Sequence, residues 1–198
     1  MSRPYLLGLT GSIGMGKTTT AGFFAEEGVP VWDADEAVRR LYARGGAAVP
    51  ALASLHAAVV KDGAVDRAAL KEWIANDRSA LARIEAAVHP LVAADRTAFI
   101  AEHGSAPLLL LDIPLLFETG AEAALDGVLV VSAPAEAQRA RVLARPGMTE
   151  AALEAILARQ MPDEEKRRRA DCVIETVGLE EARAAVRALV KRIGGRHA

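Results

Sequence analysis

The sequence has a single cysteine, Cys172, and few aromatic side chains, which make up 4% of its 198 residues. One thiol forms no disulfide within the chain and builds no cysteine-rich metal site, so a reducing compartment is expected. The apolar part of the N-terminal segment MSRPYLLGLTGS is much shorter than a signal peptide or a membrane span requires. These absences together predict a cytoplasmic protein with no membrane partner.

The chain also lacks an excess of charge of one sign. Its formal net charge is −2 and its isoelectric point is about 6.1. This balance gives no general positive field for a polyanion, so no nucleic-acid partner is expected. Apolar residues make up 52% and charged residues 25% of the chain, an ordinary soluble composition that excludes disorder. The length suits one compact domain over 1–198, with at most a modest insertion.

Short apolar runs alternate with helix-forming segments along most of the chain. Strands are predicted at 5–10, 29–32, 108–112, 128–132 and 172–175. Strands that alternate with helices predict a parallel sheet with helices on both faces. Between Gly45 and about His103 little reads as strand, so we interpret this part as a helical insertion, with Pro90 at the first position of a helix.

Residues 11–18 read GSIGMGKT and match the phosphate-loop pattern GxxxxGK[ST] in full. Glycines let backbone N–H groups surround phosphate oxygens, and the following helix directs its positive end at them. Lys17 would reach the β and γ phosphates, while the Thr18 hydroxyl would hold Mg²⁺. A chance glycine-rich turn is the alternative. The pattern follows a predicted strand and begins a predicted helix, which favours binding of a nucleoside triphosphate.

The remaining sequence narrows the choice among the classes of protein that contain a phosphate loop. The DxxG and NKxD segments of switch GTPases are missing, and the short chain argues against a large mechanical ATPase. A small-molecule kinase needs an acceptor pocket, a base near the acceptor hydroxyl, and arginines that neutralise the transferring phosphoryl group.

Two aspartates at predicted strand ends suit such a site. Asp33 follows the second strand, where ligands bind in open parallel sheets, and is the candidate base. Its alternative role is an N-cap for the next helix. Asp112 ends the third strand and would hold Mg²⁺ directly or through water. A polar strand end is the alternative for Asp112.

Several basic residues follow the fourth strand. Arg141 and Arg145 are four residues apart, so on a helix they share a face and could both point at phosphates. A solvated helical surface is the alternative, and it applies to Arg139 as well. We interpret the basic run 166–169 as a solvated face.

Four segments carry a family resemblance: GLTGSIGMGKTT at 8–19, VWDADEAVR at 31–39, His89 with Pro90, and LLLLDIPLLFETG at 108–120. Together they resemble the dephospho-CoA kinase family. The resemblance continues through Gln138, Arg141 and Arg145, then Arg159, Gln160 and 170–174, and so covers nearly the whole chain. The DAD and DIPLLFE segments are far more specific than the phosphate loop alone.

The resemblance implies a P-loop nucleotide-kinase fold with a five-stranded parallel sheet, and ATP-dependent phosphorylation of the ribose 3′-hydroxyl of dephospho-CoA. It divides the chain into a core at 1–33, 104–138 and 169–198, an acceptor-binding helical region at about 34–103, and a mobile lid at about 139–168. A monomer or small homo-oligomer is expected.

The resemblance also implies roles for individual residues. Asp33, Lys17, Arg141 and Arg145 would be catalytic, with Arg141 and Arg145 on the lid. The ATP-binding residues would be Gly11, Ser12, Ile13, Gly14, Met15, Gly16, Lys17, Thr18 and Thr19, and the metal ligands Thr18 and Asp112. The acceptor-binding residues would be Asp33, Arg39, His89, Leu115, Leu116, Phe117 and Glu118. His89 could instead cap a helix before Pro90, and Phe117 and the leucines could be core.

One position departs from the family pattern, and rival functions remain. The family commonly has Asn shortly after its DxVI segment, where this chain has Glu175 and Thr176, so backbone groups are the alternative contact to adenine. Another small-metabolite or nucleoside monophosphate kinase is the main rival, although a DGFPR-like segment would then be expected. A non-enzymatic nucleotide-binding regulator is the second rival.

Overall fold

The computed structural model describes residues 3–197, so the ends of the expected 1–198 domain, residues 1, 2 and 198, lie outside the described residues. The chain forms two compact units. The sheet unit runs up to Trp32 and resumes at His103, and the helical unit is Asp33–Glu102. In chain order the elements are β1 (Tyr5–Thr10), α1 (Lys17–Glu26), β2 (Val31–Asp33), α2 (Ala34–Tyr42), α3 (Ala48–Leu55), β3 (Val60–Lys61), β4 (Ala64–Val65), α4 (Arg67–Asn76), α5 (Ala80–Glu102), β5 (Leu108–Asp112), β6 (Gly127–Ser132), α6 (Ala135–Leu143), α7 (Glu150–Leu157), α8 (Asp163–Arg169), β7 (Cys172–Glu175) and α9 (Leu179–His197).

The five predicted strands form one parallel sheet flanked by helices, in the order β2-β5-β1-β6-β7. The expected α/β class is therefore confirmed. β1 lies at the centre, with Tyr5 beside Leu108 of β5 and Leu7 beside Gly127 of β6. Because the strands are parallel, their carboxyl ends meet at one edge. The phosphate loop and Asp112 therefore lie at the same edge.

Apolar strands and two helices build the core of the sheet unit. Every residue of β5 and β6 is buried, as expected for strands covered on both faces. α1 contributes Phe23 and Phe24, and α9 contributes residues such as Val186, to the same cluster as Leu7. This packing fixes α1, and with it the phosphate loop that precedes it, against the sheet.

α6 ends too early to contain both Arg141 and Arg145. The helix stops at Leu143, and Arg145 lies beyond it. Arg145 precedes Pro146, whose ring disfavours helical geometry in the residue before it. The expectation that both arginines share one helix face is therefore wrong.

The helical unit contains four α-helices, one 3-10 turn at Ala57–Val59 and one short hairpin, and its core includes Leu52, Trp73 and Ile84. β3 and β4 pair antiparallel across Asp62 and Gly63, which both have positive φ. An Asp-Gly pair between short strands is a strong hairpin signal. These two strands of two residues each are an addition to the expected helical insertion.

Pro90 does not begin a helix, as was expected, but lies inside the 23-residue helix α5. Helix-forming residues on both sides continue the helix. Pro90 lacks the N–H for one helical hydrogen bond, but it is exposed, so water can bond to the carbonyl left without that donor. His89 is therefore also inside α5 and does not cap it. Within residues 3–197, no helix is both long enough and apolar enough to cross a bilayer.

Candidate active site

The phosphate loop connects β1 to α1 and is shaped by glycines. Gly14 and Gly16 have φ values of 78° and 84°, in the left-handed region that favours glycine. A Cβ at Gly14 would also lie 2.5 Å from Val142 Cγ2. No side chain caps the N-terminus of α1, where Gly16 is the N-cap residue. The first N–H groups of this helix can therefore bind an anion.

Met15 anchors the loop to the sheet unit. Its side chain is 2% exposed, and its Sδ accepts a hydrogen bond from the Ala133 N–H at 3.1 Å. Its own N–H donates to Ser12 O at 3.1 Å, and its O accepts from Thr176 Oγ1 at 2.9 Å. Met15, expected among the ATP-binding residues, thus uses its backbone polar groups to hold the shape of the loop.

Two glutamine side chains hold the backbone of Ile13. Gln160 Oε1 accepts the Ile13 N–H at 3.1 Å, and Gln138 Nε2 donates to Ile13 O at 2.8 Å. Gln138 is buried and lies on α6, whereas Gln160 lies between α7 and α8. Both belong to the family resemblance, but nothing in the local sequence pattern indicated what they contact.

Lys17 and Asp112 form an ion pair at the carboxyl edge of the sheet. Lys17 Nζ lies 2.5 Å from Asp112 Oδ1, and the Asp112 side chain is only 2% exposed. β5 and β1 are neighbours, so the end of β5 lies beside the loop that follows β1. The lysine charge offsets the cost of burying the carboxylate.

Thr18 and Asp112 are the expected metal ligands, and their chemistry suits Mg²⁺. A hydroxyl and a carboxylate supply the hard oxygen donors that Mg²⁺ prefers. Thr18 is exposed in the first turn of α1, and Asp112 ends the neighbouring strand β5. Among the side chains that the structure describes, those of residues 3–195, no group of three His, Cys, Asp or Glu is placed to hold a metal ion. Mg²⁺ held by one or two protein oxygens together with substrate phosphates fits this donor set.

A cleft of about 250 Å³ lies beside the phosphate loop. Arg141 donates to Thr176 Oγ1 at 3.1 Å, to Thr176 O, and to Gly14 O at 3.4 Å. Arg145 is exposed and lines the same cleft. The residues lining the cleft are Gly14, Gly16, Thr19, Thr20, Phe23, Arg141, Arg145, Thr176, Gly178, Leu179 and Ala182. The structure thus brings both expected lid arginines to the phosphate loop.

Thr176 and Glu175, at the position of the departure from the family pattern, have separate partners. The Thr176 hydroxyl contacts Met15 O and Arg141, and the residue is 8% exposed. The Glu175 carboxylate pairs with Arg167 at 3.1 Å. Gly178 and Leu179, which follow in the chain, also line the cleft.

The segment after β5 mixes core and surface. Leu116 is fully buried and Phe117 is 6% exposed, with the Arg169 guanidinium 5.8 Å from its ring centroid. Leu115 is 42% exposed. The core alternative therefore fits Leu116 and Phe117, whereas Leu115 remains accessible to a ligand.

Glu118 pairs with a lysine that was expected to be solvated. Lys166 Nζ lies 2.9 Å from Glu118 Oε1, and the Lys166 side chain is fully buried. The prediction that the basic run forms a solvated face is wrong for Lys166. Its side chain can be buried because the Glu118 carboxylate pairs with its charge. The prediction is confirmed for Arg167, Arg168 and Arg169, which are exposed. Burial raises the pKa of Glu118, but bonding from Lys166 and the Met161 N–H outweighs this and leaves that pKa below its ordinary value.

Asp33, Arg39 and His89 belong to the helical unit. Asp33 ends β2 in an extended conformation, and its Oδ1 accepts the Glu36 N–H at 3.0 Å as the N-cap of α2. Its alternative role as a cap is therefore observed, and the carboxylate is half-buried. Arg39 is exposed and pairs with Glu36, and His89 is exposed on α5.

Comparisons with known proteins give one consistent result. Residues 5–181 match the family model of dephospho-CoA kinase. A curated dephospho-CoA kinase from Cereibacter sphaeroides is 66% identical over 191 residues, which cover 96% of each chain. A crystal structure of a Thermus thermophilus protein is 38% identical with a TM-score of 0.83, covering 96% of this chain and 98% of the other. A shikimate kinase from Bacteroides thetaiotaomicron, 14% identical with a TM-score of 0.51 and with 96% and 98% covered, shares the fold.

Proposed function

Since the chain belongs to the dephospho-CoA kinase family, it uses ATP to phosphorylate dephospho-CoA, and we propose that the phosphate loop, Asp33 and two arginines carry out this transfer. The proposal places the new phosphate on the ribose 3′-hydroxyl. The observation that supports it most is the phosphate loop with Lys17 paired to Asp112 at the edge of the sheet.

The phosphate loop binds the triphosphate through its backbone and Lys17. The uncapped N–H groups at the start of α1 bind phosphate oxygens, and the side chain of Lys17 stabilises the charge that moves onto the β phosphate as the bond to the γ phosphorus breaks. Met15, Gln138 and Gln160 hold the loop, so its donors are positioned before ATP arrives.

Thr18 and Asp112 would hold Mg²⁺ beside the phosphates. The ion supplies additional charge neutralisation for the β and γ oxygens. Lys17 stays close to Asp112. The same buried carboxylate would therefore orient both the lysine and the Mg²⁺ ion.

Asp33 acts as the general base in this proposal. The acceptor oxygen forms a bond to the γ phosphorus, the bond between the γ phosphorus and the β–γ bridging oxygen breaks, and ADP leaves. The proton of the ribose hydroxyl passes to the Asp33 carboxylate. The hydrogen bond from the Glu36 N–H fixes the orientation of that carboxylate without using its second oxygen.

Arg141 and Arg145 complete the nucleotide side, and other residues bind the acceptor. Both arginines stabilise charge on the transferring phosphoryl group, as part of a lid at about 139–168. The helical region at about 34–103 binds dephospho-CoA. The acceptor contacts come from Arg39, His89, Leu115, Leu116, Phe117 and Glu118, of which Leu116 and Phe117 contribute mainly by forming buried walls.

The setting of the reaction is also proposed. A small-molecule kinase of this kind works in the cytoplasm, without a nucleic-acid or membrane partner. It is a monomer or a small homo-oligomer.

The decisive experiment compares acceptors. The purified protein is incubated with MgATP and either dephospho-CoA, adenosine or AMP, and ADP release is followed by a coupled assay. We expect turnover with dephospho-CoA and little with the other two, and phosphorus NMR of the product should show a 3′-phosphomonoester. Preference for AMP would identify a nucleoside monophosphate kinase, and nucleotide binding with no turnover would identify a regulator.

A further inference from the structure

Two consecutive residues before α8 contact two different parts of the site. Gln160 Oε1 accepts the Ile13 N–H of the phosphate loop at 3.1 Å. The N–H of the next residue, Met161, donates to Glu118 Oε1 at 2.7 Å. The Gln160 side chain and the Met161 backbone N–H therefore together join the phosphate loop to the segment that follows β5.

Glu118 is itself held in place. The Lys166 ammonium lies 2.9 Å from the oxygen that accepts the Met161 N–H, and the Lys166 side chain is fully buried. A buried ammonium without its counter-charge is strongly unfavourable, so Lys166 keeps the Glu118 carboxylate beside it. This ion pair restrains Met161 and, through the chain, the adjacent Gln160.

The contact at Ile13 is matched on the other side of the same residue. Gln138 Nε2 donates to Ile13 O at 2.8 Å, so glutamine amides bind both the N–H and the carbonyl of Ile13. The carbonyl of Ile13 belongs to the peptide that leads into Gly14, where the loop turns with positive φ. Small displacements of groups that bind the reacting phosphates reduce rates strongly, so the orientation of this peptide matters.

We infer that Gln160 is a positioning residue for the nucleotide, and that the Lys166–Glu118 pair acts on the phosphate loop through it. Gln160 contacts Ile13 and has no need to touch ATP. This inference rests on the proposed function in one respect: it assumes that the phosphate loop binds ATP or ADP. It also gives Glu118 a role in holding Met161, in addition to any contact with the acceptor.

The test measures nucleotide affinity without the acceptor. Calorimetric titration with MgADP is carried out on the wild type, Gln160→Met, Lys166→Met and the double variant, and each is also melted. Gln160→Met keeps the length of the side chain and removes the amide acceptor. We expect it to weaken MgADP binding about tenfold, equivalent to about 1.4 kcal/mol, and to leave the melting temperature close to that of the wild type.

The double variant distinguishes this inference from a purely structural role. If Lys166 acts through Gln160, Lys166→Met weakens MgADP binding alone and adds nothing to the effect of Gln160→Met. The matched control is Arg168→Met on the same helix, whose exposed side chain pairs with Glu165 and should leave affinity unchanged. In the kinase assay, the KM for ATP should rise in Gln160→Met while the KM for dephospho-CoA stays constant.

Wild-type affinity of Gln160→Met for MgADP would overturn the inference. Additive losses in the double variant would overturn the part that concerns Lys166. If Lys166→Met does not fold, Gln160→Met alone decides, because Gln160 is only half-buried and carries no charge. The wild type could fail to phosphorylate dephospho-CoA while Gln160→Met still weakens MgADP binding as expected. That result would refute the proposed acceptor and leave this inference intact.

Discussion

The ammonium of Lys17 lies 2.5 Å from Oδ1 of Asp112, and the Asp112 side chain is 2% exposed. Lys17 therefore has two roles. It is proposed to bind the phosphates in the loop, and its charge stabilises the buried carboxylate of Asp112. A substitution of Lys17 changes both, so loss of activity alone would not separate chemistry from folding. Asp112 provides the means to separate them.

Lys17→Met should reduce kcat by about 10² to 10³, since it removes a preorganised charge from the transferring phosphates. It should also lower the free energy of unfolding by about 3 kcal/mol, because the buried Asp112 carboxylate loses the lysine charge beside it. Urea denaturation and steady-state ADP release measure the two effects separately.

The double variant Lys17→Met with Asp112→Asn is the control for this prediction. It removes both members of the ion pair, so most of the lost stability should return while turnover stays low. Near wild-type turnover in a folded Lys17→Met variant would contradict the role of Lys17 in catalysis.

Substitutions of Arg141 and Arg145 should both lower turnover but should differ in their effect on stability. Arg141 is bonded to Thr176 and Gly14, so Arg141→Ala should lose about 2 kcal/mol of unfolding free energy as well as turnover. The Arg145 side chain is exposed and has no hydrogen bond or ion pair with residues 3–195, whose side chains the structure describes. Arg145→Ala should therefore leave the melting temperature unchanged and lower kcat. A lowered melting temperature for Arg145→Ala, or full turnover with unchanged nucleotide affinity, would contradict this assignment.

Local patterns were sufficient to predict the strands of the sheet, though not their order. Buried parallel strands are continuous apolar runs, so β5 and β7 were predicted with their observed bounds, and the phosphate loop follows from eight consecutive residues. Gly28 has the positive φ expected just beyond α1, as its position after the helix suggested. These features depend on residues that are adjacent in sequence.

The contacts of Lys166, Gln138 and Gln160 are decided by distant residues, whereas the error at Pro90 is local. Lys166 lies in a run of four basic residues and looks solvated, yet its side chain is fully buried and paired with Glu118, 48 positions earlier. Pro90 is a common helix start, but the helix-forming residues on both sides continue α5 through it. No local pattern could show that Gln138 and Gln160 meet at Ile13, because these contacts depend on the path of the whole chain.

The pair of Glu118 and Lys166 should make stability depend on acid pH. The pKa of Glu118 is below its ordinary value of 4.5 in the folded protein, so the unfolded chain binds the proton more readily. The contribution is complete above the unfolded pKa and is lost as pH falls through the lowered folded pKa. We therefore expect the free energy of unfolding to decline below about pH 4.5.

Urea denaturation at several pH values between about 3 and 6 measures this dependence. In the double variant Glu118→Gln with Lys166→Met, which leaves neither charge buried alone, the decline should be shallower than in the wild type. Glu165→Gln on the same helix serves for comparison, because hydrogen bonds from Arg168 and Arg169 also lower the pKa of the Glu165 carboxyl. Its carboxylate pairs with the exposed Arg168, so salt should reduce its contribution much more than that of Glu118. An unchanged acid slope in the Glu118 and Lys166 double variant would contradict the assignment.

Asp33 has an observed role as a cap and a proposed role as the base, and Asp33→Asn separates them. Asparagine accepts the Glu36 N–H and caps α2 about as well as aspartate, so the melting temperature should stay the same. An amide cannot take the proton of the ribose hydroxyl, so single-turnover phosphorylation of dephospho-CoA at saturating MgATP should slow by about 10² to 10⁴. Affinity for MgATP should be unaffected, since the nucleotide binds to the phosphate loop.

Asp66 provides the matched control, because it caps α4 in the same helical unit by accepting the Ala68 and Ala69 N–H groups. Asp66→Asn should leave both the single-turnover rate and the melting temperature unchanged. Asp33→Ala should lose the rate and, in addition, about 1 kcal/mol of unfolding free energy, because alanine cannot cap. A single-turnover rate for Asp33→Asn within about threefold of the wild type, a difference of about 0.65 kcal/mol in activation free energy, would leave Asp33 with its role as a cap alone.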